Sequence, residues 1–141
     1  MKRNIKLVVP MVALVCLAIT VFAFKAKPFP TTSKLANTTL HFKYTAPSGD
    51  YSPAAVMDRS NWTEVSPSQK CLGNINQDAC SFSITVPEAD ESTYLSGSNP
   101  STRVSIQTAG SSSDAYVTNL VDSTLATPQN ISSAINNQPK P

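Results

Sequence analysis

The stretch that decides the fold is CSFSITV, residues 80–86. Apolar and hydroxyl side chains alternate through it, with Cys80, Phe82, Ile84 and Val86 on one face and Ser81, Ser83 and Thr85 on the other. A period of two is typical of a β-strand with one buried face, and Pro87 ends the run. The pattern predicts a half-buried strand with a hydroxyl-lined outer face.

Shorter runs of the same kind lie on both sides of this strand. Strands are predicted at residues 39–44, 62–65, 102–108 and 115–121, and clusters of Pro, Gly, Ser and Asn separate them. Short strands at irregular spacing are typical of antiparallel all-β domains. The sequence therefore predicts a mainly β protein, a small antiparallel sandwich or partly open barrel over residues 39–126.

The first 24 residues have the pattern of an export signal. Lys2, Arg3 and Lys6 precede an almost unbroken apolar run over residues 7–24, and residues 21–23 (VFA) suit a cleavage site after Ala23. We therefore expect a hydrophobic export helix, with residues 1–23 as a signal peptide. The alternative is an N-terminal anchor to residue 24, because 18 helical residues span about 27 Å, close to the ~30 Å hydrocarbon core.

An export signal predicts a periplasmic, cell-surface or extracellular location. Contact with the membrane is then expected only through residues 7–24, and only if the signal is retained.

The net charge of the chain comes mostly from the export segment. The full chain has 11 basic and 9 acidic residues, but without the three N-terminal bases the balance is 8 against 9. The remaining domain is near neutral, so we expect no nucleic-acid partner.

Two segments lack the alternation of a strand. Residues 24–38 contain Pro28 and Pro30 and predict an extended linker between the export segment and the domain. Residues 127–141, TPQNISSAINNQPKP, have the polar composition of a flexible tail.

The cysteines predict one disulfide. Cys16 belongs to the apolar segment, which leaves Cys71 and Cys80 as a pair in an oxidising compartment. We expect Cys71 to lie across a hairpin from Cys80, with the bridge pointing toward the core. A redox or metal pair is the alternative, but eight residues separate the two cysteines and His41 is the one histidine.

Other groups give no catalytic pattern. His41 has no acid or nucleophile tied to it in the sequence, and residues 111–114 (SSSD) lack the glycines of a nucleophile elbow. The acids at 88, 90 and 91 lack the spacing of a calcium loop. We therefore expect no catalytic residue, metal or cofactor, and a hydrolase-like activity is only a residual alternative.

Trp62 is the one tryptophan, and it has two interpretations. An exposed tryptophan in an exported domain could stack on a sugar or a small ligand, and a buried one would be part of the core. The first interpretation makes Trp62 a candidate ligand contact. The second makes it a packing residue near the disulfide.

The basic and apolar N-terminus, the extended linker, Trp62 and the Cys71/Cys80 pair resemble those of small exported proteins of unknown function from Bacteroidetes. The resemblance implies a bacterial periplasmic or surface location and supplies no activity. The leading hypothesis is a non-enzymatic structural or interaction module of the cell envelope, with an envelope protein or a glycan as partner. The competing hypothesis is a secreted binding protein for a glycan or small molecule that uses Trp62.

Overall fold

The computed structural model describes residues 36–73 and 75–140. This part of the chain is mainly β, as the sequence predicts, and its antiparallel sheets are not closed into a barrel. The expected export helix and most of the expected linker lie outside the described residues. Among the described residues, no helix is long and apolar enough to cross a membrane.

The strands and the short helix of the described residues follow one another along the chain. They are β1 (Asn37–Tyr44), α1 (Pro53–Met57), β2 (Trp62–Glu64), β3 (Asp78–Pro87), β4 (Leu95–Ser96), β5 (Asn99–Pro100), β6 (Val104–Gly110), β7 (Ala115–Asp122), β8 (Gln129–Asn130) and β9 (Ser132–Gln138). Single-turn or longer 3-10 segments lie at Pro47–Gly49, Arg59–Asn61, Pro67–Gln69 and Glu88–Tyr94.

The strands form a four-stranded sheet in the order β2-β1-β3-β9, a three-stranded sheet in the order β6-β7-β8, and the β4–β5 hairpin. All of these pairings are antiparallel. The two larger sheets contribute to one core, in which Phe42 and Phe82 of the first sheet join Val104 and Leu120 of the second. Burial of these apolar faces supplies most of the stabilisation that a domain of this size can gain.

The central strand β3 is buried more completely than its alternation predicts. Ser81 and Ser83 are only 1% and 2% exposed, whereas Thr85 is exposed. The expected hydroxyl-lined outer face is therefore wrong for two of its three serine and threonine residues. The reason is that β1 and β9 flank β3, and the side chain of His41 and the loop at Cys71 bond to the two serine hydroxyls.

The expected flexible tail over residues 127–141 is wrong for most of its length. Residues 132–138 form β9, which pairs with β3 from Asp78–Gln138 to Ile84–Ser132. Ile131 and Ile135 pack against the core, so a few apolar residues in a polar segment are sufficient to dock it.

The expected linker over residues 24–38 ends earlier than predicted, because β1 begins at Asn37.

A side chain connects β9 to the second sheet. The carboxamide of Asn137 accepts a hydrogen bond from the Val117 N–H at 3.1 Å and donates one to the Val117 carbonyl at 3.0 Å. Val117 needs these partners because its backbone groups point away from β6. Ala115, two residues earlier on the same edge of β7, likewise donates its N–H outside the hairpin, to the Tyr51 carbonyl. Asn137 thus takes the place of a neighbouring strand.

Candidate functional site

One edge of β1 is open over its first half. The β1–β2 register stops at Phe42 and Glu64, and a last hydrogen bond runs from the Val65 N–H to the His41 carbonyl at 2.8 Å. That bond shows that the backbone of His41 faces the β2 side of β1. Because strand residues alternate, Thr39 and Asn37 must face the same side.

The pairing on the other side of β1 agrees with this direction. Thr85, which lies opposite Thr39, donates its N–H to the Ile131 carbonyl on the β9 side, so Thr39 and Thr85 do not exchange backbone bonds. Among the described residues, the N–H and carbonyl of Thr39 and Asn37 and the N–H of His41 have no hydrogen-bond partner. Five backbone groups are therefore open along one strand edge.

A groove adjoins the open edge. It has a cavity volume of about 450 Å³ and lies where the chain leaves β1 at the end of β2. It is lined by two residues of β1, by the end of β2 and by the 3-10 turn that follows. The lining residues are Thr39, His41, Glu64, Val65, Ser66, Pro67 and Gln69. The lining thus combines hydroxyl, amide, imidazole and carboxylate groups with little apolar surface.

His41 is oriented toward this groove by a hydrogen bond behind it. Its Nδ1 lies 2.6 Å from the Ser83 hydroxyl, across a cross-strand pair. Such directly opposed residues have close side chains when they do not exchange backbone bonds. This bond fixes the ring, and among the described residues the other ring nitrogen, Nε2, has no hydrogen-bond partner.

The His41–Ser83 pair has the residue types of a nucleophile and its base, but not the access that such chemistry needs. Ser83 is 2% exposed, so its hydroxyl does not meet the groove. No carboxylate among the described residues is hydrogen-bonded to His41. The pair therefore holds the imidazole in place, and the group offered to a ligand is the free imidazole nitrogen.

Trp62 does not line the groove or any other surface. It is 0% exposed, its ring lies 4.5 Å from that of Phe82 between centroids, and its indole N–H donates to the Val56 carbonyl at 2.7 Å. The interpretation of Trp62 as an exposed ligand contact is wrong. The physical reason is that Trp62 is the first residue of β2, next to Tyr44, and both side chains point into the core.

Cys71 and Cys80 form the expected disulfide, with their Cα atoms 6.1 Å apart. The expected hairpin is wrong, because Cys71 lies in a loop and the strands that pair with β3 are β1 and β9. The β3–β9 register shifts between Ala79 and Ser81, which leaves Cys80 as a bulge residue. The bulge changes which side chains face inward, so Ala79 joins the core cluster in place of Cys80.

The serine-rich turn before β7 is a hydrogen-bonded turn. The hydroxyls of Ser111 and Ser113 donate to Asp114 Oδ2 at 3.1 and 2.8 Å, and Lys140 Nζ lies 2.7 Å from Asp114 Oδ1. The bond from Lys140 lowers the pKa of Asp114, and the serine hydroxyls add to the effect. These contacts stabilise the turn and leave no free nucleophile with a base.

Sequence reasoning missed an ion pair within the second sheet, between Arg103 just before β6 and Asp122 at the end of β7, to which Tyr94 of the segment before β4 is also hydrogen-bonded. Asp122 is 1% exposed, and its Oδ2 accepts from Arg103 Nε at 2.6 Å and from the Tyr94 hydroxyl at 2.9 Å. Thr124 donates to its Oδ1 from both N–H and hydroxyl. Burial alone would raise the pKa of Asp122, but the bonds from Thr124, Arg103 and Tyr94 outweigh it and hold the pKa far below its usual range.

Within the described ranges, no group of three or more His, Cys, Asp or Glu side chains is placed to hold a metal ion. No protein-family model matches the chain, and neither a curated protein nor a solved structure matches it.

Proposed function

We propose that the protein is an exported, non-enzymatic interaction module of sandwich form that binds an extended peptide segment of an envelope protein along β1. The single observation that carries the proposal is the row of open backbone groups on Asn37, Thr39 and His41. An extended peptide presents N–H and carbonyl groups at the same spacing and can add to the sheet as a further strand.

The groove supports a peptide rather than a sugar as the ligand. No phenylalanine, tyrosine or tryptophan ring on which a sugar could stack lines it, and Trp62, the one tryptophan, is buried. Glu64 supplies a carboxylate and His41 a ring nitrogen beside the edge. Main-chain bonds would give affinity, and these side chains would favour basic or hydroxyl residues in the bound strand.

The location in the cell envelope rests on other observations. The basic and apolar pattern of residues 1–24 is that of an export signal, and the Cys71–Cys80 disulfide suits an oxidising compartment. Both support export of the folded domain. A partner in the envelope would then meet β1 from outside the cytoplasm.

The test uses the full-length chain and a phage-displayed library of random linear dodecapeptides. We expect enriched peptides whose binding shifts the amide NMR signals of residues 37–41. Thr39→Pro removes the open N–H, leaves the β1–β3 backbone bonds in place and should weaken binding at least ~10-fold, because proline is tolerated at a strand edge but cannot donate. The 3.2 Å contact between the Thr39 and Thr85 hydroxyls is lost in this variant and in the control alike. Thr39→Val keeps the backbone donor and should bind as the wild type does.

Several outcomes contradict the proposal. No enrichment, or equal binding to the Thr39→Pro variant, would show that the edge of β1 is not the binding surface. Slow hydrogen exchange at Thr39 and His41 in the free protein would show that the edge is already paired.

A further inference from the structure

Asp78 is a buried acid without a hydrogen-bond partner. It is the first residue of β3, opposite Gln138 of β9, and it is 1% exposed. Neither of its carboxylate oxygens has a partner among the described residues. Asp122 is buried to the same extent, but three side chains bond to it. Among the described residues, no hydrogen bond stabilises the charged form of Asp78 in the same way.

The charged groups near Asp78 do not neutralise it. Asp114 lies in the turn before β7, and Lys140 follows β9. The ammonium group of Lys140 is bonded to Asp114 rather than to Asp78. Burial raises the pKa of Asp78, the charge of Asp114 raises it further, and Lys140 opposes them without cancelling the effect.

We propose that Asp78 is a proton-sensitive lock on the C-terminal strand: protonation of its buried carboxyl group favours docking of β9, and its ionisation loosens β9 from β3. The proton passes to water when the end of β9 opens, and the carboxylate is then hydrated. Loosening starts at the Asp78–Gln138 end of the pairing, because that end carries the buried acid and lies next to the exposed Lys140.

The direction of the pH effect follows from the raised pKa. The stability that neutral Asp78 contributes is fully present below the unfolded pKa of about 4 and is lost as the pH rises through the folded pKa. Docking of β9 therefore weakens toward alkaline pH. This is the reverse of the effect of a paired acid such as Asp122.

Hydrogen exchange measured on the full chain tests the lock. Protection factors of the amides of β9 are compared with those of β1 at pH 5 and pH 8, in the wild type, in Asp78→Asn and in Glu88→Gln, which removes an exposed acid. In the wild type and in Glu88→Gln, we expect the protection of β9 relative to that of β1 to be at least ~10-fold lower at pH 8 than at pH 5. A factor of ~10 corresponds to a shift of one pKa unit. Asp78→Asn should lose none.

The proposal is overturned if Asp78→Asn keeps the pH dependence of the wild type. A ¹³C titration of the Asp78 carboxyl in the wild type covers the case in which the variant fails to fold, and a midpoint at or below about 4 would also overturn it. Millimolar calcium is a further control. If calcium restores protection at pH 8 in the wild type alone, Asp78 is a cation ligand and not a proton lock.

Discussion

Replacing Asn137 with leucine should destabilise the domain much more than its position in a polar C-terminal segment indicates. Leucine has nearly the same size, so the change removes hydrogen bonds without opening a large cavity. The N–H and carbonyl of Val117 lose the bonds of 3.1 and 3.0 Å, and both residues are at most 3% exposed. Water cannot replace these bonds while the domain stays folded.

The expected magnitude follows from two unpaired backbone groups. Each buried group left without a partner costs about 1–3 kcal/mol, and the added apolar contact of leucine recovers part of that. We expect a net loss of about 2–4 kcal/mol from a total stability of about 5–10 kcal/mol. A change of this size is easily measured in a two-state domain.

The assay is equilibrium unfolding in urea, followed by the fluorescence of Trp62, which is buried and is the one tryptophan of the chain. Asn136→Leu is the matched control, since Asn136 makes a single long bond of 3.5 Å to the Ser81 hydroxyl. The control should lose less than ~1 kcal/mol. If both variants unfold at the same urea concentration, Asn137 does not replace a strand at Val117, and the reasoning is refuted.

The other predictions concern the disulfide and the ion pair. Replacing Cys71 and Cys80 together with alanine should cost about 2.5–3 kcal/mol, the chain-entropy value for a loop of about ten residues, measured as a shift of the urea midpoint against the oxidised wild type. Asp122→Asn should cost about 2–3 kcal/mol at pH 7, because Arg103 is left without its charged partner. Because the folded pKa of Asp122 is lowered, its contribution is present above about pH 4 and is lost as the pH falls, so the difference between variant and wild type should shrink between pH 4 and pH 2. A difference that stays constant with pH would contradict the assignment.

The sequence predicted the strands whose apolar residues alternate and failed where polar side chains build the sheet. Residues 39–44 and 80–86 show the period of two, and both lie in the four-stranded sheet. Residues 132–138 have a single large apolar side chain, Ile135, so their composition resembles that of a tail. What docks them is pairing to β3 and the carboxamide of Asn137, and neither leaves a periodic signal.

The candidate site was predictable only in part. His41 is the one histidine of the chain and lies in a predicted strand, residues 39–44, but its position opposite Ser83 depends on the antiparallel pairing of β1 and β3. The open edge was not predictable, because it depends on the place where β2 turns away at Ser66 and Pro67. Trp62 could not be assigned from sequence, since the same residue type serves both as a core side chain and as an exposed contact.

The place of β9 in the sheet sets the order in which the chain can fold during synthesis. Residues 37–43 precede β3 in the chain, so β3 can pair with them as soon as it has been made. Its other edge stays unpaired until residues 132–138 have been made. Until then the growing chain carries an apolar strand with one free edge, which is the type of surface that aggregates.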